Sequence, residues 1–274
     1  MAASNAQSEV SGVASEFATN NGAAASDEAP DDEEYQGGTM TLVEHLEELR
    51  RRILISLAAV ALGAVVGFII WERLLNILLW PMPKMAHSLI QNGKLLATAP
   101  GEPFVVSLKI ATAFGFVVAL PIVLYETWAF LAPAMTRSEK KYALRFTLLG
   151  VGLFAIGIVV GFFVMRYPLE FLFDYGGNNF VLLPDADNYF SFVTYFLLAF
   201  GLVFELPLVL TFMAVVGIIS SQLLRAKRMY ILFGLWLLSC FVTPGADPYS
   251  PIIIGISFTI LFELSILLIR ALGR

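Results

Sequence analysis

The run Ile53–Trp71 contains no charged residue, and it limits what this chain can become more than any other feature. The hydrocarbon layer of a bilayer is about 30 Å thick and takes about 20 helical residues to cross. A charge-free run of that length is read as a transmembrane helix. It does not stand alone. Phe104–Tyr125 is apolar apart from Lys109, and Phe146–Met165 is free of charge. Tyr189–Val216 holds only Glu205, Met229–Thr243 is apolar but short, and Ile252–Ile269 holds only Glu263. Connectors rich in proline and glycine separate the runs: Pro81-Met82-Pro83, Pro168 to Pro184, and Pro244-Gly245 to Pro251. The expectation is an all-α integral membrane protein with six transmembrane helices. Composition agrees, at 58% hydrophobic and 14% charged residues, against ~45–50% and ~25% in ordinary soluble domains.

The formal net charge of −5 hides two opposite parts. Half of the 22 Asp and Glu precede Arg50, with no Lys or Arg among them, so the rest of the chain is net basic. Residues 1–40 are rich in Ala, Ser, Asn and Gly and then acidic (Asp27-Glu28, Asp31-Asp32-Glu33-Glu34). Such a segment buries too little apolar area to offset its ordering entropy, so it is expected to be a disordered cytoplasmic tail ahead of a six-helix domain over 41–274. It lacks the basic n-region and apolar h-region of a secretory signal. An inert tail is preferred over a solubilising or partner-binding one. If the spans alternate, the clusters Arg50-Arg51-Arg52, Arg137 to Arg145, Arg225 to Arg228, and Arg270 with Arg274 share one side. Arg73, Lys84, Lys94, Lys109 and Arg166 fall on the other side or within spans. The positive-inside rule therefore places both termini in the cytoplasm. No inverted repeat of the kind found in many secondary transporters is visible.

Enzymatic chemistry finds few residues to work with. The one cysteine, Cys240, excludes an internal disulfide and a cysteine-ligated metal centre. H-E-x-x-H, Walker A and G-x-S-x-G patterns are absent, and His45 and His87 fall on opposite predicted sides. The chain is expected to be no enzyme, with no metal or other cofactor. Charges in apolar runs remain. Glu205 sits mid-span in Ala199-Phe200-Gly201-Leu202-Val203-Phe204-Glu205-Leu206-Pro207. A carboxylate there is costly and marks function by default, against a structural glutamate that is protonated or paired with Lys109. Pro207 is expected to kink the span. Lys109 either pairs or snorkels to the interface, and Glu263 has no role beyond a buried polar contact. Glu47 and Glu48 precede Arg51 and Arg52 by four residues, the favourable order for helix ion pairs. Thr41-x-x-Glu44 and Thr136-x-x-Glu139 are capping boxes that would start the first and third spans. On spacing alone, helix support is the favoured role of these charges.

His45-Leu46-Glu47-Glu48-Leu49-Arg50-Arg51-Arg52 resembles the H-L-x-E-L-R-x-R signature of the TatC family, core subunits of the twin-arginine protein translocase. Further matches follow in the family's order. They are Pro121 with Tyr125-Glu126-Thr127-Trp128-Ala129-Phe130-Leu131-Ala132-Pro133, Ser191-Phe192 with Ala199-Phe200-Gly201 to Glu205-Leu206-Pro207, and Thr243-Pro244 to Asp247-Pro248. The resemblance covers roughly Thr41 to Arg270. It implies a multi-pass protein of the cytoplasmic membrane that binds the twin-arginine signal peptide of folded precursors. It also implies an oligomeric complex with the single-span partners TatA and TatB, driven by the proton-motive force, without nucleic acid. The implied cytoplasmic signal site includes Glu48, Arg50, Phe130 and Glu139. Glu126 is acidic where some relatives have an amide, which adds a carboxylate to that site. Glu205 is implied in contact with partner helices, and Pro81 and Asp247 correspond to loop positions. The acidic tail is longer than the pattern, and the turn Pro244-Gly245-Ala246-Asp247 is longer than the T-P-P-D of some members.

A small-solute or ion transporter is the rival reading, since buried Glu205 and Lys109 could serve a proton relay. The set Glu48, Glu126 and Glu139 separates the two. A relay has no need of it, whereas a cationic peptide ligand does.

Overall fold

The computed structural model describes residues 42–83, 95–131, 143–175, 185–245, 247–271 and 273. The acidic stretch 1–40, Thr41, His87 and the capping box of Thr136 and Glu139 lie outside the described residues. In chain order the helices are α1 (Leu42–Ile69), α2 (Trp71–Leu79), α3 (Glu102–Leu131), α4 (Ala143–Val164), α5 (Arg166–Tyr175), α6 (Ala186–Phe204), α7 (Leu206–Val215), α8 (Ser221–Ala226), α9 (Arg228–Val242) and α10 (Tyr249–Ala271). Among the described residues the only β pairing is a single bridge between Leu96 and Asp185. Among the described residues, five segments are long and apolar enough to cross a membrane: α1, α3, α4 with α5, α6 with α7, and α10. The sixth apolar helix, α9, has 15 residues.

The first apolar run is not one helix to Trp71. The backbone breaks at Ile70, and α2 restarts with Glu72, Arg73 and Asn76 exposed. Leu74, Leu75, Leu78 and Leu79 turn toward the core. This separation of polar and apolar faces explains a second short helix rather than a longer span. The fourth span breaks where expected. Glu205 separates α6 from α7, its N–H bonding back to Leu202 O at 3.1 Å. Pro207 sits in the first turn of α7, where its missing N–H costs nothing.

α6 is the central element. Phe190, Phe196 and Phe200 are fully buried, and Phe192, Phe196 and Phe200 form a ladder with centroids 5.7 and 4.9 Å apart. α1, by contrast, packs chiefly on α3. The two run antiparallel at backbone contact: a Cβ on Gly63 would lie 2.8 Å from Gly115 O, and one on Gly67 2.8 Å from Ala111 O. Small residues at such spacing are how apolar helices approach closely in lipid, where dispersion rather than the hydrophobic effect holds them together.

Polar groups pin the helix ends. At the start of α3, Glu102 is buried and accepts hydrogen bonds from Thr98 Oγ1 (2.8 Å), Ala99 N (3.2 Å) and Asp187 N (3.0 Å). One carboxylate thereby caps α3 and ties it to α6. Lys109 donates to Asp187 Oδ1 at 2.6 Å and Ser191 Oγ at 3.0 Å. Lys109 thus pairs instead of snorkelling, and its partner is not Glu205. Asp247, in the turn between α9 and α10, is buried and caps α10. Its Oδ1 accepts from Ser250 N and its Oδ2 from Ser250 Oγ, both at 2.7 Å. Pro81 is buried in the turn after α2.

Candidate functional site

α1 begins, and α3 ends, at the same edge of the bundle. Their antiparallel pairing brings Glu48 and Arg52 of α1 against Glu126 of α3. Arg52 Nη1 lies 2.8 Å from Glu126 Oε2, Arg52 Nε lies 3.0 Å from Glu48 Oε1, and Nη2 bonds the same oxygen. The Glu48–Arg52 contact is the i,i+4 pair expected from spacing, and its extension to Glu126 spans two helices. The three side chains keep only 19%, 22% and 13% of their exposure. Glu48 Oε2 is buried and has no hydrogen-bond partner among the described residues.

Two carboxylates and one guanidinium leave the cluster with a net negative charge. Its single arginine occupies the position a cationic ligand would take between two acids. Unsatisfied buried acceptors are costly, by about 1–3 kcal/mol, so Glu48 Oε2 favours any donor that can reach it. A guanidinium is a donor suited to it, since its fork presents paired N–H groups to carboxylate oxygens, once a side-chain shift uncovers the buried oxygen.

The aromatic wall of the site divides by helix face. Phe130 turns to α1 and stacks on His45, centroids 4.4 Å apart and planes 18° apart. Trp128, two residues earlier, turns the other way into the core, 4.5 Å from Phe212 and 5.5 Å from Phe146. Arg50, Glu47 and Arg51 are exposed beside the cluster. Of the expected site residues, the structure therefore brings Glu48, Glu126 and Phe130 together, with Arg50 on the solvent side. Glu139 lies outside the described residues. Arg52 and His45 are members that sequence reasoning missed. Both stand in the family signature, but the i,i+4 spacing pointed to Arg52 only as helix support, and nothing along the chain showed that His45 meets Phe130.

Glu205 occupies a separate place. It is 8% exposed, and neither carboxylate oxygen has a hydrogen-bond partner among the described residues. The carboxyl points inward to α4: a Cβ on Gly150 would lie 3.2 Å from Glu205 Oε2, and 2.7 and 2.9 Å from methyl groups of Leu124 and Leu208. The expected alternative of a Lys109–Glu205 pair is corrected, because Lys109 is committed to Asp187. Glu263 is not an isolated buried polar group either. Arg228 Nε lies 2.8 Å from its Oε1, an ion pair out of line for a hydrogen bond.

Comparison with known proteins identifies the family. The family model of the Sec-independent protein translocase protein TatC matches residues 44–257. The TatC protein of Carboxydothermus hydrogenoformans is 37% identical over 232 residues, covering 84% of this chain and 93% of that protein. That of Aquifex aeolicus is 32% identical over 232 residues, 84% and 94% of the respective chains. A crystal structure described as the twin-arginine translocase receptor TatC superposes with a TM-score of 0.71 at 30% identity, covering 84% of this chain and all of that one. The family-model match begins at Glu44, ahead of Glu48 and Arg52, and ends at Ser257 within α10. The chain belongs to the TatC family of Sec-independent protein translocase proteins.

Proposed function

We propose that this chain is the signal-recognising subunit of a twin-arginine translocase. It binds paired arginines of a precursor's signal peptide at the α1–α3 edge and, with TatA and TatB, passes the folded precursor across the membrane at the expense of the proton-motive force. The observation that carries this reading is the Glu48–Arg52–Glu126 cluster with its unpartnered Glu48 Oε2. In the proposed complex one ligand arginine bonds Glu48 Oε2 and its neighbour competes with Arg52 for Glu126. Phe130 and His45 shield the contact from water, Arg50 orients the peptide backbone, and Glu139 is a further carboxylate for the cationic ligand. The protein lies in the cytoplasmic membrane with both termini and this site in the cytoplasm, as the distribution of Lys and Arg favours. Glu205, whose carboxyl turns inward to α4, meets a polar group of a partner helix that inserts beside α4.

The rival proton relay rests on Glu205 and Lys109 as buried charges, and Lys109 is instead paired with Asp187. The test is binding of a synthetic twin-arginine signal peptide to the purified full chain in nanodiscs, against the same peptide with both arginines replaced by lysine. Selective binding of the arginine form is expected. Equal binding of both refutes the assignment.

A further inference from the structure

Arg228 opens α9, and its ion pair with Glu263 of α10 leaves the two side chains 56% and 38% exposed. The helices run antiparallel, since Trp236 of α9 donates to Thr259 of α10 at 3.2 Å and its ring lies over Gly255. α10 therefore continues past the start of α9. From Glu263 to Ala271 it adds eight residues, about 12 Å at 1.5 Å per residue. A half-exposed ion pair thus stands about 12 Å inside the end of a membrane-spanning helix. Hydrocarbon against it would leave two charges poorly solvated, which is strongly unfavourable. A polar headgroup drawn down beside the short helix removes that conflict.

The surroundings specify the headgroup. Arg225 and Lys227 are exposed next to Arg228. α8 holds them there by packing Leu224 against Phe262, Ile266 and Ile269 of α10. Three cations and one carboxylate give this surface a charge near +2. Above Glu263 on the same face of α10 come Leu267, 59% exposed, and then Arg270. Leu264 and Leu268 widen the apolar surface. Cations beside exposed leucines match an anionic lipid, with phosphate oxygens taking the guanidinium and ammonium donors and acyl chains covering the leucines. We propose that this surface binds an anionic phospholipid through Arg225, Lys227 and Arg228.

Native mass spectrometry of the full chain, released from nanodiscs holding equal phosphatidylglycerol and phosphatidylcholine, tests the proposal. The wild-type protein is expected to retain one phosphatidylglycerol in preference. Arg225→Gln with Lys227→Gln is expected to lower that retention about thirtyfold, about fivefold for each cation removed. Arg225→Lys with Lys227→Arg is expected to preserve it. Glu263→Gln, which frees Arg228, is expected to raise it, and Arg166→Gln at the opposite end of the bundle to leave it unchanged. Equal retention of the two lipids, no loss in the glutamine pair, or a loss in Glu263→Gln overturns the proposal. The wild-type preference and the Glu263→Gln gain decide the matter even where the double variant fails to fold.

Discussion

Glu48→Gln is the most discriminating single change at the α1–α3 edge. Glutamine keeps the shape of the side chain, and its carbonyl oxygen still accepts from Arg52. What it loses is the charge and the second carboxylate oxygen, the one that stands unpartnered. A fully exposed ion pair would contribute only about 0.2–1 kcal/mol. Glu48 retains 19% of its side-chain exposure and Glu126 13%, so hydrogen bonds between charged groups here fall in the range of about 1.5–3 kcal/mol. At about 1.4 kcal/mol per tenfold, losing one such bond weakens a twin-arginine peptide by about 10- to 100-fold. Glu47, exposed one position round the helix, makes no such contact, and Glu47→Gln is expected to stay within about threefold. The assay is fluorescence anisotropy of a labelled signal peptide on nanodisc-embedded protein, with circular dichroism checking that helix content is unchanged. Glu48→Gln and Glu126→Gln share Arg52, so their effects are expected to be less than additive in a double-mutant cycle. Equal losses at Glu47 and Glu48, or no loss at Glu48, refute the reasoning and leave these glutamates as helix support.

Gly63→Val is expected to lower the melting temperature markedly, because its side chain meets the Gly115 backbone. Overpacking of this kind costs about 1–3 kcal/mol, whereas Gly152→Ala, with nothing within 4 Å, is expected to melt like wild type. Glu205→Gln is expected to keep much of the assembly with partner helices, while Glu205→Ala weakens partner crosslinking and export. Wild-type behaviour of Glu205→Ala in both would make Glu205 purely structural. Spin labels placed along α9 are expected to show water accessibility beginning short of the usual depth at one end or both, since 15 residues reach only about 22 Å. A normal depth profile at both ends contradicts that expectation.

Span positions were legible because a bilayer demands long charge-free runs, and the break at Glu205 because Pro207 cannot continue a helix unchanged. The family motifs named Glu48, Glu126 and Phe130, but not what holds them. Arg52 looked like a local partner of Glu48, since i,i+4 spacing is visible along one chain and a contact with α3 is not. The same blindness applied to Lys109 with Asp187 and to Arg228 with Glu263, residues far apart in sequence. Glu102 was passed over entirely. It lies at the edge of an apolar run, where a charge is unremarkable, and its capping of two helices depends on α6 placing the Asp187 N–H against it. In helices apolar all round, periodicity gives no face signal either. Whether Glu205 points to lipid or to α4 was therefore not written in its neighbours.

The glycine seam between α1 and α3 explains how the charge cluster keeps its register. Gly63 meets Gly115, and Gly67 meets Ala111, so each step forward on α1 is a step backward on α3. Moving eleven residues toward the start of α1 reaches Arg52, and moving eleven residues toward the end of α3 reaches Glu126, the two side chains found 2.8 Å apart. Eleven residues are about three turns, or about 16 Å, which returns both chains to the face they present at the seam. The same stepping carries Glu48 toward Phe130. Backbone contact at the seam tolerates neither rotation nor a one-residue slide, because either would drive a Cβ into a carbonyl. α1 has little other packing to orient it. The acids that face a cationic ligand are thus aligned by four small residues deep in the bundle, which is why a substitution at Gly63 should disturb peptide binding without touching the site.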